Sequence, residues 1–118
     1  MNNLPALSSS DLKPWFNKPQ IIKDCAAQTQ KDLGLYGIQI SFSGNAETAY
    51  SELFSQIEPQ INSLLKKGSS LMEILYRVDV AEEKLKEISE PNETLSQSIT
   101  RLILWRELQK VVTRFLLK

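Results

Sequence analysis

The chain has 118 residues with 14 basic and 14 acidic side chains, so its formal net charge is zero. A domain of this length folds without disulfides, and a neutral balance is not typical of nucleic-acid-binding proteins, which neutralise phosphates. Histidine is absent and Cys25 is the only cysteine, which excludes an intramolecular disulfide, His-dependent catalytic sites and the standard zinc sites. We therefore expect no enzyme activity, no cofactor and no metal site.

Residues 1–17 are predicted to form an irregular arm before a single helical domain, residues 18–118. Prolines and three consecutive serines interrupt any regular pattern in the arm. We expect the adjacent Trp15 and Phe16 either to cover the edge of the core or to contact a partner. The chain shows no signal-peptide pattern and no apolar run of membrane-spanning length, so we expect a cytoplasmic protein without membrane contact.

The first helix is predicted to begin near Pro19, with Asn17 as its N-cap, and to end at Gly34. A proline in the first turn of a helix costs no hydrogen bond, and glycine is common just after a helix end. The apolar stripe at helical spacing comprises Ile22, Cys25, Ala26, Thr29 and Leu33. Because Cys25 lies on this stripe, its position favours a small buried hydrophobe over a reactive thiol.

A change to two-residue periodicity indicates a short extended or β segment at about residues 35–43. Ile38, Ile40 and Phe42 alternate with polar side chains, and glycines bracket the run. A single strand cannot satisfy its own backbone hydrogen bonds. Three outcomes are open: pairing with the N-terminal arm, pairing with the same strand of a second copy, or an extended segment without a ladder. We favour a partner strand.

The longest helical pattern follows Asn45, which is predicted to cap it, and ends at Gly68. Its apolar positions keep one phase across Pro59, so one kinked helix is predicted and not two separate helices. Two short helices are predicted between residues 70 and 90, the second at about 80–90, because S-x-x-E and D-x-x-E sequences typical of capping boxes start them. With the long C-terminal helix, the sequence predicts a mainly α fold of about five helices in one compact bundle.

The C-terminal helix carries two apolar arcs. From Leu104 onward the apolar residues share one side of the helix, whereas the earlier ones cluster about 120° away. Either the helix runs through the middle of the domain with both sides covered, or one face packs within the chain and the other contacts a partner. The predicted protein interface comprises Leu95, Ile99, Leu102 and Ile103.

A basic row with four-residue spacing runs along the same helix. Side chains at this spacing share one face of a helix. The row comprises Arg106, Lys110, Arg114 and Lys118. It is interpreted as a solvated face, as a surface for an acidic protein or as a phosphate-contacting surface. The sequence thus predicts a non-enzymatic interaction or assembly module that self-associates as a homo-oligomer, with nucleic-acid binding through the basic row as the alternative.

Overall fold

The computed structural model describes residues 14–15, 18–67, 71–80 and 93–117. In this part of the chain there are four α-helices, α1 (Pro19–Gly34), α2 (Ala49–Lys67), α3 (Leu71–Val78) and α4 (Leu95–Leu116), and a 3₁₀ turn (Ala46–Thr48) leads into α2. The prediction of a compact, mainly helical fold is confirmed. The predicted fifth helix beyond Val80, and the predicted arm apart from Pro14 and Trp15, lie outside the described residues.

The central element is α4, which packs against both α1 and α2. Twelve of its 22 residues are buried, and they include polar side chains such as Ser98 and Thr100. A helix at the surface of a domain normally buries a single stripe. Of the two interpretations of the C-terminal helix, the structure therefore shows the one in which the same chain covers both sides.

The apolar face of α4 changes along its length because the two halves pack into different core clusters. In the first half, Ile99 and Ile103 join a cluster with residues of α2, α3 and the end of α1. In the second half, Leu108 and Val112 join a cluster with the beginning of α1 and with Ala49. Each fully buried aliphatic side chain contributes roughly 1.5–3 kcal/mol by leaving water. The two arcs are thus two halves of one hydrophobic interior.

The first helix, α1, begins at Pro19 as predicted, although the N-cap position is occupied by Lys18, which makes no side-chain cap hydrogen bond. Asn17, the predicted N-cap, lies outside the described residues. Cys25 is fully buried, as its place on the apolar stripe predicts. Burial and the nearby charge of Glu107 raise the pKa of the Cys25 thiol to about 12. The thiolate, which is the reactive form, is therefore suppressed in the folded chain.

The second helix, α2, is continuous across Pro59, as the unbroken apolar phase predicts. Asn45 caps the preceding 3₁₀ turn, since its side-chain oxygen accepts a hydrogen bond from Glu47 N at 2.9 Å. The buried residues of α2 face the core at helical spacing and comprise Ala49, Leu53, Ile57 and Ile61. The opposite side of the helix is free to carry polar side chains.

The segment predicted as a strand, residues 35–43, is not part of a β-sheet, and no strand occurs in the described parts of the chain. Side-chain amides of α2 take the place of a partner strand. Gln56 donates to Ser41 O and accepts from Ser41 N, both at 2.7 Å. Gln60 donates to Gln39 O at 3.1 Å and accepts from Gln39 N at 3.3 Å. Each glutamine side chain therefore pairs with both the N–H and the C=O of one residue, as a residue of a neighbouring antiparallel strand would.

The same segment is held by two further side chains. Glu52 accepts a hydrogen bond from Ser43 N at 3.0 Å. On the other edge, Gln30 of α1 donates to Ile38 O at 3.2 Å and accepts from Ile40 N at 2.9 Å. The segment thus lies between α1 and α2, with polar contacts to both helices.

Matched spacing explains why side chains of α2 can bind the backbone of the extended segment. Four residues of an α-helix rise about 6 Å, and two extended residues span about 6.6–7 Å. The polar row of α2 therefore has the same spacing as alternate residues of the segment. This row comprises Glu52, Gln56 and Gln60, which bind Ser43, Ser41 and Gln39. The expectation of a partner strand is not confirmed, because the segment forms no ladder within the described residues; this agrees with the third outcome, an extended segment without a ladder.

The N-terminus of α4 provides a test of local stability. Thr94 Oγ1 accepts from Gln97 N at 3.2 Å, and Gln97 Oε1 accepts from Thr94 N at 2.9 Å, which forms a capping box. We expect Thr94→Ala to lower the free energy of unfolding by about 1 kcal/mol, because an N–H of the first turn loses its acceptor. Urea denaturation measures this change. Thr94→Ser keeps the hydroxyl and should retain most of the stability; an equal loss in both variants would contradict the capping role.

Candidate functional site

Three of the four residues predicted as a protein interface are buried inside the folded chain. Ile99, Leu102 and Ile103 are 1%, 7% and 0% exposed, whereas Leu95 is 55% exposed. The reason is the central position of α4, which brings the early apolar arc against other helices of the same chain. The prediction for these three side chains is therefore corrected, because they belong to the core of the folded chain.

The basic row of α4 is largely engaged with acidic groups of the same chain. Arg106 Nη2 lies 2.8 Å from Asp79 Oδ2, and Lys110 Nζ lies 2.8 Å from Asp32 Oδ2. Arg114 is exposed, and Lys118 lies outside the described residues. Because two of its cations are paired internally, the row does not present an uncompensated line of positive charge to a polyanion.

Large apolar side chains are exposed at several other positions. They are Leu35, Met72, Tyr76, Leu95, Phe115, Leu116 and Leu117. Met72 and Tyr76 lie one turn apart on the outer side of α3, with 54% and 88% of their surfaces exposed. The inner side of α3 is anchored by Ile74, Leu75 and Val78, all of which are buried. A short, firmly packed helix thus presents a methionine and an aromatic ring to solvent.

A charged pair runs parallel to this apolar pair. Glu73 and Arg77 are also four residues apart on α3, and both are exposed. Arg77 Nε lies 3.6 Å from Asp32 Oδ1, and the Tyr36 hydroxyl donates to Glu73 O at 3.4 Å. At 100° per residue the two pairs occupy adjacent rows on the outer face of α3. We call Met72, Glu73, Tyr76 and Arg77 together the outer face of α3.

A charged triad is buried between α1 and α4, behind the outer face of α3. It consists of Asp32, Glu107 and Lys110. Asp32 is 3% exposed and Glu107 is 0% exposed. Lys110 Nζ lies 2.8 Å from Asp32 Oδ2 and 3.0 Å from Glu107 Oε1, and Gln28 donates to Asp32 Oδ2 at 3.2 Å. Two carboxyl groups therefore share one ammonium group in a site with little access to water.

The two carboxyl groups differ in their affinity for protons. Burial and a hydrogen bond with Asp32 raise the pKa of Glu107 to about 8, although the Lys110 charge opposes the rise. Burial also disfavours the charged form of Asp32, but hydrogen bonds with Glu107, Lys110 and Gln28 outweigh it and lower the pKa of Asp32. Neither Glu107 oxygen accepts a hydrogen bond of good geometry. A proton on Glu107 leaves Asp32 as the ionised carboxylate that pairs with Lys110.

Comparisons of this chain with protein-family models, with curated proteins and with solved structures produced no match. The outer face of α3 and the buried triad are therefore the features from which we infer a function. Within the four described stretches, no helix is both long and apolar enough to cross a membrane. Among the same residues, no cluster of three or more potential ligands could hold a metal ion.

Sequence reasoning did not identify either feature. Met72 and Tyr76 have a detectable signal, because the strong amphipathicity of residues 71–78 places two large apolar side chains on the polar side of the helix. Glu107 also has a signal: it continues the four-residue row Ile99, Ile103 and precedes Val111, which is typical of a buried position. Asp32 has none, because only the tertiary structure brings it to Lys110.

Proposed function

We propose that this chain is a non-enzymatic protein-contact module that self-associates through the outer face of α3. The observation that carries the proposal is Tyr76, an aromatic side chain 88% exposed on a helix whose other side is held in the core. Tyrosine is one of the residues that most often dominate protein interfaces. Met72, one turn earlier, adds a flexible apolar surface that adapts to a partner.

The charges beside the apolar pair support a second copy of the same chain as the partner. In an antiparallel, two-fold arrangement of α3 helices, Met72 of one copy faces Tyr76 of the other. Glu73 of one copy then faces Arg77 of the other, twice per dimer. A parallel arrangement would place the charged row against the apolar row. The outer face of α3 is therefore self-complementary in one orientation only.

The size of this surface limits the strength of the contact. An α-helix of eight residues is about 12 Å long. A contact centred on it buries less than the roughly 800 Å² per partner of a standard interface. We therefore expect a reversible dimer with a dissociation constant in roughly the micromolar range or weaker.

Tyr76→Asp should abolish dimer formation, because it removes the aromatic contact and places a second negative charge near Glu73. Sedimentation velocity over protein concentrations from about 10 μM to about 1 mM measures the dimer fraction across the expected range. The native chain should shift from monomer to dimer over this range, and Tyr76→Asp should remain monomeric. Circular dichroism of both chains establishes that they are equally folded.

Two further variants locate the contact. Glu73→Lys should weaken the dimer, since it opposes Arg77 of the second copy with a like charge. Leu117→Asp, which changes another strongly exposed apolar residue directly after the end of α4, is the matched control and should leave association unchanged. A native chain that is monomeric at every concentration overturns the proposal. A dimer that is lost in Leu117→Asp and retained in Tyr76→Asp overturns it as well.

A further inference from the structure

The triad of Asp32, Glu107 and Lys110 joins two helices that are far apart in the sequence. Asp32 lies in the last turns of α1, whereas Glu107 and Lys110 lie on one side of α4. An isolated buried carboxyl group is costly, and replacing it by a neutral group of similar shape is often neutral or stabilising. The chain nevertheless buries Glu107 completely, and Lys110 brings it close to a second carboxyl group, that of Asp32. Such a group is a functional candidate because an uncharged residue would suit this buried position better for stability alone.

We propose that the buried triad is a proton-operated latch that holds α1 against α4, closed while Glu107 carries a proton and released when the proton is lost to solvent. In the closed state the proton keeps Glu107 uncharged, and Asp32 is the carboxylate to which Lys110 donates, at 2.8 Å. Loss of the proton leaves two buried carboxylates beside Lys110, and Arg77, which is 44% exposed and lies 3.6 Å from Asp32, compensates the second charge only in part. The resulting repulsion falls between α1 and α4, so it favours their separation.

The groups around Glu107 are consistent with this assignment. From α1, Asp32 and Cys25 face it, and Cys25 is neutral in the folded chain. From its own helix, Lys110 is the nearest cation. From α3, Arg77 pairs with Asp32 and so adds positive charge to the outer end of the cluster.

The remaining titratable groups near α4 have other partners. Tyr50 of α2 stacks on Trp105 with ring centroids 5.6 Å apart, and Ser96 donates to Glu58. Arg106 pairs with Asp79. Control of the latch therefore falls to Glu107 itself. Its pKa of about 8 places the change close to neutral pH, against an ordinary value of 4.5.

Cys25 provides an internal probe of opening, because it is buried on α1 next to Glu107 and is the only cysteine of the chain. The experiment measures the rate at which iodoacetamide modifies Cys25 between about pH 5.5 and about pH 9, divided at each pH by the rate for the urea-unfolded chain. This ratio is the equilibrium constant for opening. Because the open state releases the Glu107 proton, the ratio should rise up to about tenfold per pH unit and level off above about pH 8.

Glu107→Gln is the decisive variant, since glutamine keeps the shape of a protonated glutamic acid and cannot ionise. Its opening constant should be independent of pH and roughly 100-fold lower than that of the native chain at pH 7. Glu47→Gln, an exposed position before α2, is the matched control and should follow the native profile. A pH slope in Glu107→Gln equal to the native slope overturns the latch, as does a native opening constant that does not change with pH. Neither outcome depends on dimer formation through α3.

Discussion

Asp32→Ala should lower the free energy of unfolding at pH 7 by about 3 kcal/mol, the lower part of the range for breaking a buried ion pair. Asp32 is the common acceptor for Lys110 and Gln28, and Arg77 lies beside it. Its removal leaves these donors without their carboxylate in a site with little water. The loss stays near the lower limit because Glu107 then ionises and takes over Lys110. Urea denaturation with a two-state fit measures the change.

The same helix offers a matched control for this prediction. Asp24 is exposed on α1 and accepts a hydrogen bond from Gln20 at 2.9 Å. Because water replaces that contact, Asp24→Ala should change the stability by less than about 0.5 kcal/mol. If Asp32→Ala also changes the free energy of unfolding by less than about 0.5 kcal/mol, the triad contributes nothing to holding α1 against α4.

The double variant Gln56→Ala/Gln60→Ala should destabilise the chain by about 2–4 kcal/mol, because it removes four hydrogen bonds worth about 0.5–1.5 kcal/mol each. These bonds join the backbone N–H and C=O groups of Gln39 and Ser41 to α2. All four bonds are exposed to solvent, so water compensates for some of the loss. Hydrogen exchange should show the effect locally, as faster exchange of the Ser41 and Gln39 amides.

Ser51→Ala/Ser63→Ala is the control for this double variant, because both serines are exposed on α2. It makes the same number of alanine substitutions in the same helix without touching the segment 38–43. We expect its stability to stay within about 0.5 kcal/mol of the native chain. If both double variants lose the same stability, or if the Ser41 amide keeps its protection, the side-chain pairing does not hold the segment.

The helices could be predicted because their signals are local. Pro19 and Gly34 mark the ends of α1, and the apolar phase of α2 continues across Pro59. Thr94 directly precedes α4 and forms its cap. Periodicity and capping depend on residues within a few turns of each other, which a sequence displays directly. The same local rules identified Cys25 as a buried residue.

The segment 38–43 shows where local rules stop. Its alternation correctly indicated an extended backbone with one buried side, but alternation does not reveal which group satisfies the peptide hydrogen bonds. A second strand is the common solution, and side-chain amides on a helix are an uncommon one. The clue was the spacing of Glu52, Gln56 and Gln60. It becomes meaningful only when α2 is known to lie beside the segment.

The interface prediction failed at Ile99, Leu102 and Ile103 for a related reason. A wide apolar surface on a helix shows that more than one neighbour covers it, but it does not show whether those neighbours belong to the same chain. The structure covers both arcs of α4 internally. The surface that we propose for a partner lies on α3, whose outer apolar residues are few and easily overlooked in the sequence.

The sequence by itself determined the helical class, the bounds of the main helices and the absence of histidine-based chemistry, because composition and short-range periodicity decide these properties. Only the tertiary structure decided that Asp32 meets Lys110 and Glu107, and that the outer face of α3 remains exposed. Burial and charge pairing depend on contacts between residues far apart in the chain. Such contacts come from the packing of whole helices, and no local pattern encodes them.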